Sequence, residues 1–520
     1  MSDWLTKTFL TGVGSAIDGW AWLSEEASDL VVNNLVTSTR NRPHPWSTLS
    51  EYTSWQSLTD RTYLARHLPP AILPIQPAEE QIRKLFERPD GSSGRLSKKS
   101  TCLFPAFAQY LTDGFIRTDP ADRRRTTTNH EIDLCPLYGL TTKQTDVLRL
   151  KSSGKGQLGK LKSQFIGDEE FPPFLYPNGD TTPDPAFSAL DLPLGLATLD
   201  QAVGLGAKKL STIFAVGGDR TNSTPFTAMM NTLLLREHNR VAGELEKRNT
   251  TWDDERVFQT ARNIMIPMFI KIVVEQYINH VTPLPFSLRA NPTVAWTANW
   301  NRPNWITAEF SLIYRWHSLM PDTIHWTDGN IPTGDFFLDN APLLRVGLDA
   351  AFSAASQQKA GELGAFNTTS SLLELEDRAV RQARTNHIAS YNDYREAFGM
   401  TRAQTFSDIS SNSKVSKLLK KLYGTPDNVE FYPGLFAEDR SPDSPLPGLL
   451  LRMVGVDAFS QALTNPLLSE HVFNAETFTQ WGLDLINSTS KLGDILERNV
   501  IKRGQTPIEM TQAGWEYGSE

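Results

Sequence analysis

Apolar residues recur every three to four positions along much of the second half of the chain. Two stripes stand out after residue 225, and their spacing places each of them on one face of an amphipathic helix. Strand-like alternation is scarce, and no rhythm of strands and crossover helices is visible. The pattern therefore predicts one large, mainly α-helical body. The stripes consist of Phe226, Met229, Met230, Leu233, Leu234, Val241 and Leu245, and of Val257, Phe258, Ala261, Ile264, Met265, Met268, Ile272 and Val273.

The first 35 residues carry many aromatic and aliphatic side chains at roughly helical spacing. Two interpretations remain open: amphipathic helices that lie in a membrane interface, or helices that pack on the protein's own core. No run approaches the ~18 uninterrupted apolar residues of a membrane-spanning helix. Lys7 is the only cation before Asp18, and Gly12 and Gly14 interrupt the apolar pattern, which argues against a secretory signal. We therefore expect a cytoplasmic or peripheral membrane location.

Proline-rich segments suggest how the chain is organised. Residues 40–100 are rich in Pro, Ser, Thr and Gly, which is typical of an irregular connector with short helices. We expect amphipathic helices over residues 1–39, this connector over 40–100, and the main domain over 101–505. No glycine-rich phosphate-binding loop is present, which weighs against nucleotide chemistry.

Composition and charge narrow the class of protein further. Apolar residues make up 39% and charged residues 21% of 520, enough to bury a sizeable core. The formal net charge is −8 and no long basic run occurs, so the chain is a poor candidate for nucleic-acid binding. The only two cysteines, Cys102 and Cys135, exclude a disulfide framework and a cysteine-rich metal site.

The segment 309–322, EFSLIYRWHSLMPD, carries the most specific chemistry. If it is helical, Tyr314 and His317 lie three residues apart on one face, with Cβ atoms ~5–6 Å apart. A metal or haem iron on His317 would then have a phenol about one turn away, which suits electron transfer. The other interpretation is a buried tyrosine and histidine that simply complete hydrogen bonds.

The same segment resembles the Tyr-x-Trp-His motif of the peroxidase–cyclooxygenase superfamily, which includes the prostaglandin synthases. The resemblance continues through ordered motifs over roughly residues 30–500. It implies a single large helical haem-peroxidase-like (cyclooxygenase-like) domain and a microbial haem fatty-acid dioxygenase. The further motifs are FAQYLTDGFIRTD (107–119), IDLCPLYG (132–139), LREHNRV (235–241), FQTARNIMI with IKIVVEQYINH (258–266 and 270–280), SYNDYREAFG (390–399) and VEFYPGLFAED (429–439).

The resemblance implies roles for particular residues of this chain. His317 is expected to be the axial ligand of a non-covalent haem b, and Tyr314 to form a tyrosyl radical that removes hydrogen from a polyunsaturated fatty acid, after which O₂ adds. Tyr277 is expected to hydrogen-bond Tyr314, with plain core packing as the alternative. Arg40 is expected to pair with the substrate carboxylate, with Arg42 as the neighbouring alternative.

Ser460 resembles the serine that lines the fatty-acid channel near the radical tyrosine. Its match carries a register shift of one residue. The expected role of this side chain is steric control of where oxygen adds.

Several positions depart from the family pattern. Gln109 matches on the distal side, but Asp113 stands where the distal histidine belongs. A carboxylate can move protons there only if burial raises its pKa toward neutrality. Gly114 replaces the calcium-binding Asp of superfamily peroxidases, so no calcium is expected at this distal-helix site. Leu284 replaces the channel-mouth tyrosine, which puts double oxygenation and ring closure in doubt.

The sequence GGDRTNS (217–223) resembles the peroxidase branch instead. Its Arg220 is expected over the distal face of the haem, where it would polarise peroxide. Ser223 replaces the glutamate that esterifies haem in those enzymes, so covalent attachment is not expected. The leading hypothesis is a fatty-acid dioxygenase that yields a hydroperoxide or a cyclooxygenase-type product. The alternatives are a peroxidase of small reductants and a haem-free lipid-binding relative.

Overall fold

Two long helices formed by the predicted stripes lie at the centre of the computed structural model, which describes residues 17–37, 49, 60–89, 92–119, 121–500 and 503–519. In chain order the α-helices are α1 (Ala21–Thr37), α2 (Glu79–Arg83), α3 (Leu103–Asp113), α4 (Cys135–Tyr138), α5 (Thr142–Leu148), α6 (Leu199–Leu205), α7 (Ala207–Leu210), α8 (Pro225–Arg248), α9 (Asp254–Ile272), α10 (Asn279–Val281), α11 (Thr293–Trp296), α12 (Phe310–Ile313), α13 (Ala341–Gln357), α14 (Leu373–Thr385), α15 (Tyr391–Ala397), α16 (Ser413–Tyr423), α17 (Phe431–Ala437), α18 (Gly448–Leu463), α19 (Ala475–Ser488) and α20 (Leu492–Asn499).

Strands are few and short in the described part of the chain. They form three two-stranded antiparallel pairs. The pairs are β1 (Leu96–Thr101) with β6 (Lys359–Gly361), β2 (Gln164–Ile166) with β3 (Glu169–Phe171), and β4 (Thr323–Trp326) with β5 (Gly329–Pro332). The prediction of a mainly α-helical body is confirmed.

The central helices begin where the sequence supplies caps. The Thr224 hydroxyl accepts a hydrogen bond from the Thr227 amide, and Pro225 occupies the first turn of α8. The Asp253 carboxylate accepts from the Arg256 amide at 2.8 Å and starts α9. These caps satisfy amide groups that a helix start leaves without intrahelical partners.

Helix α9 does not end at Ile272 but continues through a π-helical turn, Val273–Ile278, into α10. The whole run Asp254–Val281 is long and apolar enough to cross a membrane by length and composition. Its most apolar window is 72% buried inside the protein, where it packs on α8 and α19. It is therefore placed as a core helix, and it positions Tyr277 within the π-helical turn.

The N-terminal segment around helix α1 has features of a helix packed on the core and features of a helix that lies in a membrane interface. Val32 and Val36 are each 1% exposed and pack with α18. Trp20, Trp22 and Leu30 are more than 60% exposed on the other side. One face of the segment thus packs on the core, and the other presents large apolar side chains to the outside.

Candidate active site

The segment that carries Tyr314 and His317 is not one continuous helix. Helix α12 ends at Ile313, Tyr314 and Trp316 have non-helical backbone angles, and His317–Leu319 form a 3₁₀ turn. The expectation that Tyr314 and His317 share one helical face was therefore wrong. The physical reason is local, because the Trp316 indole N–H and the Arg315 guanidinium donate hydrogen bonds to the carbonyls of Ile313 and Ser311 at 2.6 and 2.8 Å.

Tyr314 is held in a layer of aromatic rings. Its ring lies 4.7 Å from that of Phe310 and 5.0 Å from that of Trp316, measured between centroids, and it is 9% exposed. Phe104 of α3 contacts Trp316 at 5.3 Å and Tyr277 at 5.7 Å, which closes the layer on the other side. Burial raises the pKa of the Tyr314 phenol, so the phenol stays protonated near neutral pH.

Tyr277 is a close neighbour of Tyr314 in the core. Its side chain is fully buried, and its hydroxyl is near enough to Tyr314 that each phenol influences the other's pKa. Burial is the main reason that the pKa of Tyr277 is well above its usual range, and the Tyr314 phenol raises it further. The Tyr277 hydroxyl is not aligned for a hydrogen bond in the described structure. The two phenols are neighbours in the core.

His317 opens the 3₁₀ turn with its imidazole partly exposed. Its Nδ1 is buried and lies 3.2 Å from Oε1 of Glu376, but the two atoms are not aligned for a hydrogen bond. The His317 side chain as a whole is 13% exposed. The histidine therefore faces a buried carboxylate with Nδ1 and is not fully enclosed by the protein.

Glu376 belongs to a polar group that the sequence did not reveal. It projects from α14, is 2% exposed, and accepts hydrogen bonds from the Thr368 hydroxyl at 2.8 Å and from the Tyr432 hydroxyl. We call His317, Glu376, Thr368 and Tyr432 the histidine cluster. Tyr432 lies in the motif VEFYPGLFAED, whereas nothing in the sequence distinguishes Glu376 from the other acidic residues of α14.

Gln109 and Ser223 are joined directly. The Gln109 side-chain amide donates to the Ser223 hydroxyl at 2.7 Å, and that hydroxyl donates to the Arg220 carbonyl at 2.6 Å. Gln109 projects from α3, one turn before Asp113. The face of α3 that carries these two residues therefore meets the loop 217–223.

Asp113 is 1% exposed beneath this loop. Its oxygens accept hydrogen bonds from the Thr221 hydroxyl at 2.6 Å and from the Arg220 amide at 3.3 Å. Burial, with a smaller contribution from Asp219, raises the pKa of Asp113 to about 6. We call Gln109, Asp113, Arg220, Thr221 and Ser223 the loop cluster. Burial has brought the pKa of this carboxyl closer to neutral pH, and a group that transfers protons at neutral pH needs such a pKa.

Arg220 is anchored by its own surroundings. Its guanidinium donates to the Ile116 carbonyl and lies 3.3 Å from the Asp219 carboxylate. It also lies close enough to Arg315 to lower the pKa of that residue, which burial lowers most, to about 10. The guanidinium thus has protein partners in the described structure.

Helix α18 brings a further acidic residue to Tyr314. Asp457 is 4% exposed, raises the pKa of Tyr314, and pairs with His67 at 3.2 Å. Ser460 follows one turn later and is also buried, and its hydroxyl donates to the Asp457 carbonyl at 3.2 Å. The sequence pointed to Ser460 but missed Asp457 and His67, which no motif marked.

Of the residues predicted at the mouth of the fatty-acid channel, the structure describes only Leu284. Arg40 and its alternative Arg42 lie outside the described residues. Leu284 is half-buried in the loop that follows α10 and packs against the core. The same loop is tied to α1, since the hydroxyls of Ser24 and Ser28 donate to the carbonyls of Ser287 and Arg289.

The residues present fit a haem with His317 as the axial ligand. A metal-binding histidine usually presents its second ring nitrogen to a carboxylate or carbonyl, which fixes the tautomer. Nδ1 of His317 is a buried atom without an aligned partner, and it faces such a carboxylate. Within the described ranges no group of three or more His, Cys, Asp or Glu side chains is arranged to hold a metal ion by itself.

Comparison with known sequences identifies relatives along nearly the whole chain. Residues 113–510 match the animal haem peroxidase family. Prostaglandin G/H synthase 2 of Equus caballus is 29% identical over 501 residues, which cover 93% of this chain and 78% of the relative. The Mus musculus protein of the same name is 30% identical over 457 residues, covering 84% and 71%.

Comparison with solved structures gives the same fold. Peroxidase A from Dictyostelium discoideum superposes with a TM-score of 0.68 at 18% identity, covering 91% of this chain and 100% of that one. The fatty acid alpha-dioxygenase of Oryza sativa superposes with a TM-score of 0.67 at 15% identity, covering 98% and 97%. At these identities the likeness concerns the fold alone.

Proposed function

This chain belongs to the animal haem peroxidase family, and from that premise we propose that it is a haem-dependent fatty-acid dioxygenase. A tyrosyl radical at Tyr314 removes a hydrogen atom from a bis-allylic carbon of a polyunsaturated fatty acid. The phenol O–H bond forms again as the C–H bond breaks, and O₂ adds to the carbon radical. The resulting peroxyl radical takes a hydrogen atom from the Tyr314 O–H group, so the product is a hydroperoxide and the tyrosyl radical forms again.

The observation that carries this proposal is the setting of Tyr314. Its phenol is buried between Phe310 and Trp316, beside Tyr277 and three residues from His317. A radical in such a layer is shielded from water and from adventitious reductants. Bound at His317, haem supplies the oxidising equivalent that removes an electron and a proton from the phenol.

The neighbouring phenol and carboxylate tune this step. Tyr277 offers the nearest hydroxyl to Tyr314, and it lowers the pKa of Tyr314 while burial and Asp457 raise that pKa. A raised pKa keeps the proton on oxygen until the electron leaves, so the two are lost together. We propose that Ser460, one turn from Asp457, shapes the fatty-acid channel at this end.

Substrate binding rests on the sequence. Arg40 follows the last residue of α1, Thr37, by three positions, and a guanidinium can hold a carboxylate bidentately. Leu284 has no hydroxyl that could assist Arg40, so we propose that Arg40 alone binds the substrate carboxylate. The exposed Trp20 and Trp22 of the N-terminal segment are suited to a lipid surface from which fatty acid is drawn.

The distal side is proposed to turn over peroxide slowly. Asp113 takes the place of the histidine, and both of its oxygens already accept hydrogen bonds. Ser223 has no carboxylate with which to form an ester, which supports non-covalent haem. Because radical formation needs only occasional activation, slow peroxide turnover leaves the hydroperoxide as the end product.

Oxygen uptake by the haem-loaded protein tests the proposal. Linoleate or arachidonate should start uptake, whereas stearate, which lacks a bis-allylic carbon, should not. Mass spectrometry should find a product that has gained one O₂. Peroxide-driven oxidation of a small phenol without fatty-acid-dependent uptake would instead make the protein a peroxidase, and a purified protein that takes up no haem would make it a lipid-binding relative.

A further inference from the structure

The histidine cluster contains a buried carboxylate, Glu376, with partners at both of its oxygens. Glu376 is 2% exposed, and its Oε1 receives the Thr368 hydroxyl and faces Nδ1 of His317, while its Oε2 receives the Tyr432 hydroxyl. The Arg315 guanidinium interacts with this carboxylate electrostatically, but its hydrogen bonds go to the Ser311 carbonyl and the Gln382 side chain. Burying a carboxylate is costly unless it has partners or a task.

We propose that Glu376 is the positioning residue of His317, which holds the imidazole by accepting Nδ1–H and donates electron density through it to the haem iron. This inference rests on the proposed role of His317 as the axial ligand. With Nε2 on the iron, Nδ1 must carry the ring proton, and the only carboxylate within hydrogen-bond reach of it in the described structure is Glu376.

The hydroxyls of Thr368 and Tyr432 set how strongly Glu376 acts. Each hydrogen bond that the carboxylate accepts withdraws charge from it, and so weakens its pull on Nδ1–H. A negative second partner favours the ferric over the ferrous iron, because it stabilises the more positive state. Glu376 and Tyr432 should therefore move the reduction potential in opposite directions.

Redox titration of the haem-loaded protein tests this pair of effects. In Glu376→Gln the acceptor stays and the charge is lost. We expect the ferric-to-ferrous equilibrium to move about tenfold toward ferrous, a rise of about 59 mV for one electron, with haem affinity lowered by about tenfold. In Tyr432→Phe, which frees charge on Glu376, we expect about a threefold move toward ferric.

Glu374→Gln is the matched control, since Glu374 lies on the same helix but is exposed and pairs with Arg378. It should leave the potential unchanged. Unchanged potentials in Glu376→Gln and Tyr432→Phe would overturn the inference. If Glu376→Gln does not fold, Tyr432→Phe decides alone, because it removes one hydroxyl and keeps the ring.

Failure of the proposed function gives a different result. If His317→Ala retains the same haem affinity and ferric spectrum, then His317 is not the ligand and the proposed function is wrong at its base. If His317→Ala loses haem while Glu376→Gln and Tyr432→Phe leave the potential unmoved, only the role of Glu376 is wrong.

Discussion

The histidine cluster and the loop cluster differ in how far their polar groups find hydrogen-bond partners within the cluster. In the loop cluster, the hydrogen bonds of Gln109, Asp113 and Ser223 join members of the cluster to one another. In the histidine cluster, His317 keeps a buried Nδ1 without an aligned partner and a partly exposed ring. A cluster that satisfies itself holds a loop in place, whereas a cluster that is left incomplete is suited to a ligand.

Because of this difference, we expect the histidine cluster and the loop cluster to support their proposed reactions, oxygenation and peroxide turnover, to different extents. The side with Tyr314 and His317 is where we propose that the radical forms. On the other side, the Asp113 carboxylate already accepts hydrogen bonds from the Thr221 hydroxyl and the Arg220 amide of the loop above it. We therefore expect an enzyme whose oxygenation is strong and whose peroxide turnover is weak.

Replacing His317 by Ala should have the largest effect. Losing the axial ligand should weaken haem binding by more than about 100-fold, which exceeds the loss from a missing outer-shell partner. Titration of the protein with haem, followed by absorbance, measures this. His325→Ala is the control, because His325 is exposed on β4 and should bind haem as the wild type does. If both variants bind haem with equal affinity, then His317 is not the haem ligand and the histidine cluster does not belong to the haem site.

Replacing Asp113 by His should reduce the contrast between the two sides by strengthening peroxide turnover. An imidazole can serve as general base and then acid, so peroxidase turnover should rise by about 10–100-fold, the low end of such catalysis. Stopped-flow assays with hydrogen peroxide and a small phenol measure it. Asp113→Asn should show no gain. If Asp113→His also leaves turnover unchanged, Asp113 does not lie in the peroxide pocket.

Replacing Tyr277 by Phe tests how much the second phenol matters. Losing one hydroxyl contact is worth about 0.5–1.5 kcal/mol, so the rate of oxygen uptake should fall roughly 2- to 10-fold. The protein should bind haem normally. Tyr176→Phe, a buried tyrosine on a different loop, serves as the control. If the rate of oxygen uptake is unchanged, the Tyr277 hydroxyl has no part in the reaction and the residue only packs in the core.

Replacing Gly218 by Ala probes how tightly the loop is held on Asp113. A Cβ atom here would lie 2.3 Å from both Oδ2 of Asp113 and Oγ1 of Thr221, so the loop must shift. We expect a loss of about 1–3 kcal/mol in the free energy of unfolding by urea. A Cβ atom at Gly204 meets nothing within 4 Å, so Gly204→Ala should be neutral or slightly stabilising. If Gly218→Ala and Gly204→Ala are equally stable, the loop 217–223 can shift away from Asp113 at no cost in free energy.

The sequence predicted the fold well because the stripes of α8 and α9 are long and regular. It also named Tyr314, Tyr277, His317 and Gln109, which lie in local motifs. It failed at the end of α12, where the side chains of Arg315 and Trp316 take carbonyls that a continuing helix would use. It did not find Glu376 or Asp457, since only the packing of distant helices brings these carboxylates to His317 and Tyr314.

Electron paramagnetic resonance of freeze-quenched samples tests the central claim most directly. Hydroperoxide should produce a tyrosyl signal in the haem-loaded protein, and anaerobic addition of linoleate should replace it with a carbon-centred fatty-acid radical. In Tyr314→Phe, with haem bound to the same extent, that replacement should not occur and oxygen uptake should be abolished. A Tyr314→Phe protein that still forms the fatty-acid radical would contradict the role of Tyr314.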